Sequence, residues 1–353
     1  MLRFLRQWWW KLLCIPLLFY ALTAGVLIPL GPGVISVQPP STVRGATISL
    51  DILCYNTHFK ENDQSLNVIL KNENNLICNN MVAVISETHL NVEFGIPPDL
   101  RTDHKKDYYN LIIHNDQDGT FFLSDAFAIE RNDTSRGVGL KCTTIMNMAP
   151  TAGMTFPYRE ILYESIRNLF FHVPMWFTMI FLTLFSFACS IAFLSKSSQE
   201  LDLLASTSAA VGVFFGILGL LTGMQWANFT WGAPWVNDPK LNGAALGLLI
   251  YFAYFVLRGS LTDQGNRAKV SAVYNVIAFV IFIVFIMVVP RLTDTLHPGS
   301  GGNPAFKAYD LDDRMRPVFY AAVVGFIILG VWLVSLTTRY RLLLQSQKEK
   351  TEL

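Results

Sequence analysis

Six runs of this chain are long and apolar enough to constrain everything else: residues 12–30, 169–194, 203–224, 241–257, 270–290 and 318–336. About 20 helical residues cross the roughly 30 Å of hydrocarbon in a bilayer. A segment in lipid must satisfy its own backbone hydrogen bonds, and a helix does so within one run. The chain therefore reads as a polytopic α-helical membrane protein with six transmembrane helices. Composition agrees, since 15% of its residues are charged, against about 25% in a soluble domain. A formal net charge of +1 lacks the strongly basic footprint of a nucleic-acid binder.

Lys and Arg near the span ends set the orientation. With the N-terminus inside, Arg3, Arg6, Lys11, Lys196, Arg258, Arg339 and Arg341 are among the inner cations. Fewer lie on the outer flanks, among them Arg167, Lys240, Arg291, Arg314 and Arg316. Both termini are then cytoplasmic in a multi-pass protein. Trp8, Trp9 and Trp10 suit an interfacial belt at the start of the first span. The stretch A-L-T-A at 21–24 is similar to a signal-peptide cleavage site, but the run is long for a signal peptide, so a retained helix is expected.

Between the first two spans the composition changes. Residues 45–55 and 65–71 alternate apolar and polar side chains, and short strand-like runs follow at 82–85, 90–94, 108–114, 120–122 and 126–129. A period of two marks half-buried strands. Strands this short, separated by turn signals, predict an all-β, immunoglobulin-like sandwich. Four parts result: 1–32, an N-terminal transmembrane helix; 33–150, an external β-sandwich domain; 151–340, a five-helix membrane domain; and 341–353, a cytoplasmic tail. Cys54 and Cys78 in the β-domain are a candidate disulfide pair, with buried free thiols as the alternative. His58, His89, His104 and His114 are scattered through it and read as surface or satisfied core residues.

The most unusual loop is 226–240, W-A-N-F-T-W-G-A-P-W-V-N-D-P-K. It holds three of the eight tryptophans, whereas connecting loops are normally polar. On the same outer face lie His172, at the start of the second span, and His297, after the fifth. The residues from Pro298 to Gly302 make the backbone after His297 rich in turn formers. Neutral imidazoles ligate iron well, two on opposite sides of a plane give bis-histidine haem ligation, and indole rings offer stacking area to a flat apolar ring. Arginines suit its carboxylates. On the residues alone a second reading stands beside this one: an interfacial aromatic belt with incidental histidines. The glycines Gly212, Gly216, Gly219 and Gly223 of the third span read as a helix-packing stripe.

The segments F-F-H-V-P (170–174), W-G-A-P-W-V-N-D-P-K-L (231–241) and T-L-H-P-G-S (295–300) resemble the signature segments of the CcmC family of cytochrome c maturation, in the CcmC/CcsA superfamily. The resemblance covers residues 162 to about 336 together with the first helix. It implies that His172 and His297 are axial ligands to haem iron. It implies a haem platform of Trp226, Trp231, Gly232, Trp235 and Asp238, and carboxylate-binding roles for Arg167, Lys240, Arg291 and Arg316. Pro234 and Asn237 stand where the family commonly has tryptophan, which implies a platform with fewer rings. The β-domain falls outside the compact family pattern and reads as an insertion.

What the resemblance implies for function is haem b carried as cargo in a bacterial inner membrane. The cargo would be delivered to a periplasmic haem chaperone, with ABC transporter subunits and a small membrane subunit as partners and the β-domain in the periplasm. No G-x-x-x-x-G-K-[ST] motif occurs, so ATP hydrolysis would belong to a partner. With no nucleophile–base set either, the chain reads as a non-enzyme. Two other classes remain: a CcsA-type haem–apocytochrome lyase, and a membrane-anchored receptor whose β-sandwich is the active part.

Overall fold

Each of the six apolar runs forms a helix. A computed structural model describes residues 2–100, 104–131, 153–297 and 311–351. Within it run α1 (Leu2–Leu27), α2 (Leu169–Lys196), α3 (Gln199–Trp231), α4 (Pro239–Ser260), α5 (Gln264–Ile283), α6 (Val289–Leu292) and α7 (Arg316–Thr351). A π-helical turn, Val284–Val288, joins α5 to α6. Pro290 has no N–H to give to the carbonyl four residues back, so the α register cannot continue unbroken there. Among the described residues, six helices are long and apolar enough to cross a membrane. The fourth, shortest as a sequence run, is a helix of 22 residues. The first ends at Leu27, not at residue 30.

Two compact units emerge, Met1–Leu27 with Ser165–Leu353, and Ile28–Glu164. In the helical unit, α2 and α3 pack through the glycine stripe. A Cβ on Gly212 would meet Thr183, one on Gly216 would meet Met179, one on Gly219 would meet Trp176, and one on Gly223 would meet His172. Hydrogen takes the place of a side chain at each step, so the larger α2 residues fill the space. One end of the bundle gathers the start of α2, the end of α3, the starts of α4 and α7, and α6. At the other end Arg258 grips Asp202 with two hydrogen bonds, of 2.7 and 2.5 Å. Nearby in chain, Asn275 donates to Ser186 and Ser190, both at 2.8 Å. Helix α1 lies along α7, with Leu18 against Gly325 and the Cys14 thiol 3.5 Å from the Gly325 carbonyl.

The other unit holds eight strands: β1 (Gly33–Gln38), β2 (Ser41–Val43), β3 (Thr47–Tyr55), β4 (Asn67–Lys71), β5 (Leu76–Ser86), β6 (His89–Gly95), β7 (Lys106–Asn115) and β8 (Gly119–Glu130). They form one sheet in the order β1-β3-β6-β5-β4-β7-β8-β2. All pairs are antiparallel except β2 with β8. Leu50, Ile52, Val68, Leu90, Val92, Phe94, Tyr109, Leu111, Ile113 and Phe127 form its buried core. Two separate facing sheets are not seen, because β5 pairs with β4 through Leu76–Cys78 and with β6 from Asn79 onward. The architecture is therefore only loosely compatible with an immunoglobulin-like sandwich.

Three expectations change. Strands β1 and β2 carry no clear alternation and went unexpected. The runs at 120–122 and 126–129 are one strand, β8: Ser124 and Asp125 resemble a turn, but Asn110 accepts the Asp125 N–H at 2.9 Å and a bulge in β8 opposite Asn110 absorbs the irregularity. Cys54 and Cys78 are not bridged. Cys54 is a buried free thiol, while Cys78 is disulfide-bonded elsewhere. Strand β6 stands between their strands, and two strand spacings of about 4.8 Å exceed the reach of a disulfide. The expected boundary at residue 150 lies outside the described residues.

Candidate functional site

Asp238 begins α4 as its N-cap, followed by Pro239 at the first helical position. Both choices follow from the missing partners of the first helical N–H groups. One carboxylate oxygen, Oδ1, accepts from the N–H of Lys240 at 2.8 Å and of Leu241 at 3.4 Å. The other, Oδ2, accepts from Thr295 Oγ1 at 2.7 Å and from the N–H of Leu296 at 2.8 Å. The side chain of Asp238 is fully buried. These contacts orient the loop through backbone groups on both sides of the carboxylate. Thr295 was not singled out at all, because its partner lies 57 residues away.

His297 follows directly. Its Nδ1 lies 3.0 Å from Asp238 Oδ1, off the line of a hydrogen bond. Its ring packs against two indoles: Trp226 at 5.8 Å between centroids and Trp231 at 5.1 Å, the latter edge-on. Those two tryptophans meet each other at 5.0 Å and 77°. Burial pushes the His297 pKa down to about 4; the Asp238 charge pulls upward and Lys240 adds to the depression. Burial would raise the Asp238 pKa, but hydrogen bonds from Thr295 and Leu296, and His297 beside it, bring it below the ordinary carboxylate value. The pair is thus a carboxylate facing a neutral imidazole.

His172, in the first turn of α2, sits half-buried against the last turns of α3. Its Nδ1 is 2.9 Å from the Gly219 carbonyl and 3.2 Å from Thr222 Oγ1. A carbonyl can only accept, so Nδ1 carries a proton, and in the neutral ring Nε2 keeps its lone pair. Space for the ring comes from Gly223, where a Cβ would lie 2.7 Å from Cε1. The stripe read as helix packing thus also makes room for the histidine at its C-terminal end. The two imidazoles lie within electrostatic range of one another.

The remaining candidates fall into two groups. Gly232 caps α3, with φ +77° and its N–H 3.1 Å from the Asn228 carbonyl; a left-handed residue there turns the chain out of the helix. Trp235 is exposed. Lys240 lies within electrostatic range of Asp238 and Arg291. By contrast, Arg167 donates to the Gly25 carbonyl of α1 at 2.9 Å, Arg291 donates to the Met287 carbonyl of the preceding π-helical turn, and Arg316 pairs with Asp313 at 2.9 Å. The structure therefore unites His172, His297, Trp226, Trp231, Asp238 and Lys240, and gives Arg167, Arg291 and Arg316 other partners. The turn-rich stretch 298–302 lies outside the described residues.

Chemically, two imidazoles, one of them backed by two indole rings and a fixed carboxylate, are a donor set that fits an iron-bearing planar ligand. Fold and site define a class: a polytopic helical membrane protein with an inserted β-unit and a histidine–tryptophan cluster at one end of its bundle. The chain belongs to the CcmC family, described as heme exporter protein C, whose model matches residues 138–352. That match leaves out α1 and all eight strands. The chain is similar to heme exporter protein C of Paracoccus denitrificans, 25% identical over 179 residues, which are 50% of this chain and 72% of that protein. Heme exporter protein C of Rhodobacter capsulatus is 23% identical over 199 residues, 56% of this chain and 82% of that protein. A shorter stretch of 89 residues is 42% identical to cytochrome c biogenesis protein CcsA of Prochlorococcus marinus, covering 25% of this chain and 28% of that protein.

Proposed function

We propose that this protein holds haem b between His172 and His297 at the outer face of a bacterial inner membrane and delivers it to a periplasmic haem chaperone for cytochrome c assembly. The observation that carries this reading is the pair of imidazoles whose Nδ1 atoms each face an oxygen, the Gly219 carbonyl for His172 and the Asp238 carboxylate, at 3.0 Å, for His297. That arrangement leaves Nε2 of each ring as the ligand atom. Trp226 and Trp231 exclude water around His297, and exposed Trp235 extends the apolar surface. Lys240 serves a haem carboxylate. Arg167, Arg291 and Arg316 serve that role only if they exchange their present partners. The chaperone, ABC transporter subunits and small membrane subunit are the partners in this reading, both termini are cytoplasmic, and the β-unit docks a maturation partner in the periplasm.

The test is the haem content of the purified full-length protein. A Soret band is expected, with a large loss in His172→Ala and in His297→Ala. If both variants keep the wild-type spectrum and haem content, the ligand assignment is wrong. A second reading, a CcsA-type lyase, draws on the local similarity to CcsA. Incubation of the haem-loaded protein with apocytochrome c separates the two: covalent attachment without a chaperone favours the lyase, and transfer that requires the chaperone favours delivery.

A further inference from the structure

Asp238 stands in the tryptophan-rich segment, where the obvious role is contact with the bound ring. Its surroundings argue for a different one. The side chain is fully buried, so it presents nothing to a ligand arriving from outside. Its lone pairs are taken as well. A carboxylate accepts about four hydrogen bonds, and Asp238 receives Lys240 N–H, Leu241 N–H, Thr295 Oγ1 and Leu296 N–H. His297 Nδ1 adds a fifth close neighbour at 3.0 Å.

We infer that Asp238 is a positioning residue that acts through His297 and sets it as the stronger of the two ligands; this rests on the proposed haem-holding role. One carboxylate oxygen pins the start of α4 and the other pins the turn that carries His297. Two segments 57 residues apart are thereby fixed to a single group. The ring is held on its flanks by Trp226 and Trp231, and the carboxylate stands 3.0 Å from Nδ1 as a fixed charge. A charged partner at Nδ1 also makes the imidazole more electron-rich at Nε2. His172 has two neutral oxygens at the same atom, the Gly219 carbonyl and Thr222 Oγ1. The two ligands are therefore inequivalent by construction, and the difference lies in what stands behind each ring.

The experiment compares wild type with Asp238→Asn as full-length protein. Asn caps a helix about as well as Asp, so the substitution removes the charge and keeps the cap, while its NH2 group cannot accept from the Leu296 N–H. The expected result is a haem affinity about 10–100-fold weaker, with retained bis-histidine spectra and a higher midpoint potential, because a less electron-rich imidazole stabilises ferric iron less. His172→Ala should also retain more haem than His297→Ala. A folded Asp238→Asn protein with wild-type affinity and potential overturns the inference and leaves the haem-holding role standing. If instead wild type carries no histidine-ligated haem, the underlying role fails first, and the inference with it. Should Asp238→Asn fail to fold, Thr295→Val carries the test. It keeps the helix cap and frees the turn, so weaker binding is expected, and unchanged affinity and potential would overturn the inference.

Discussion

His172 and Gly223 occupy one another's space: a Cβ on the glycine would stand 2.7 Å from Cε1 of the histidine. The same α3 segment supplies the Gly219 carbonyl that orients the ring. Position 223 is therefore a site position on a helix face otherwise devoted to packing.

Gly223→Ala should displace the imidazole and lower haem content towards that of His172→Ala. Overpacking of this kind costs about 1–3 kcal/mol, taken here from the placement of one ring. Gly212→Ala, where a Cβ would meet Thr183 at 3.3 Å, is the control and should retain haem. Equal haem in Gly223→Ala and wild type, measured per mole of purified protein, would refute the shared-space argument.

Asp202 and Arg258 form a two-pronged pair at the other end of the bundle, each side chain 17% exposed. Removing one partner leaves a poorly solvated charge, which costs about 3–5 kcal/mol in buried pairs. Asp202→Ala should lower the apparent melting temperature in detergent more than the double variant Asp202→Ala/Arg258→Met does. The comparison is read by differential scanning fluorimetry, and a double variant as unstable as the sum of the singles would show that the two residues act independently.

His58 Nδ1 lies 2.9 Å from the buried Asp118 carboxylate. That hydrogen bond holds the His58 pKa above the ordinary value of 6.5, against the opposing effect of burial. A raised pKa in the folded state stabilises the fold fully below pH 6.5, and the contribution disappears as pH rises through the higher folded value. The β-unit should accordingly resist proteolysis better at pH 6 than at pH 8, with a smaller difference in His58→Gln. The same pH dependence in both proteins would remove His58 as its source.

Lys11 is 3% exposed and lies over Trp8 at 3.7 Å, with Trp10 at 5.2 Å and Trp332 of α7 at 5.9 Å. A desolvated cation–π contact contributes about 2 kcal/mol. Lys11→Met keeps the volume and loses the charge, so the seam between α1 and α7 should loosen. Cysteine crosslinking across that seam should fall, and an unchanged yield at wild-type stability would count against the aromatic cage.

The site was legible where the chemistry is written in residue type. Imidazoles at two span ends and a loop crowded with indoles each carry a local signal, and the structure brings His297 against Trp226 and Trp231. The arginines were less legible. Arg167, Arg291 and Arg316 share the required charge, but a guanidinium takes whichever carbonyl or carboxylate comes within reach, and here these are Gly25, Met287 and Asp313.

In the strand unit, alternation revealed the strands with one face in the core, such as β3 and β6. It missed β1 and β2 and broke β8 in two, because Asn110 on a neighbouring strand satisfies the backbone at Asp125. The rejected Cys54–Cys78 pair has the same origin: strand order decides which sulfurs can meet, and strand order is a long-range property.

By itself, the sequence determined the six spans, because lipid leaves a long apolar run no option but a helix. It also determined which ends carry histidine and tryptophan. Only the tertiary structure decided that Gly223 makes room for His172 and that Asp238 joins the start of α4 to the turn before His297. Those relations link residues about 50 positions apart and cost nothing locally, so no local pattern records them. They exist because packed helices bring a missing Cβ opposite a ring, and because a buried carboxylate must fill every lone pair it has.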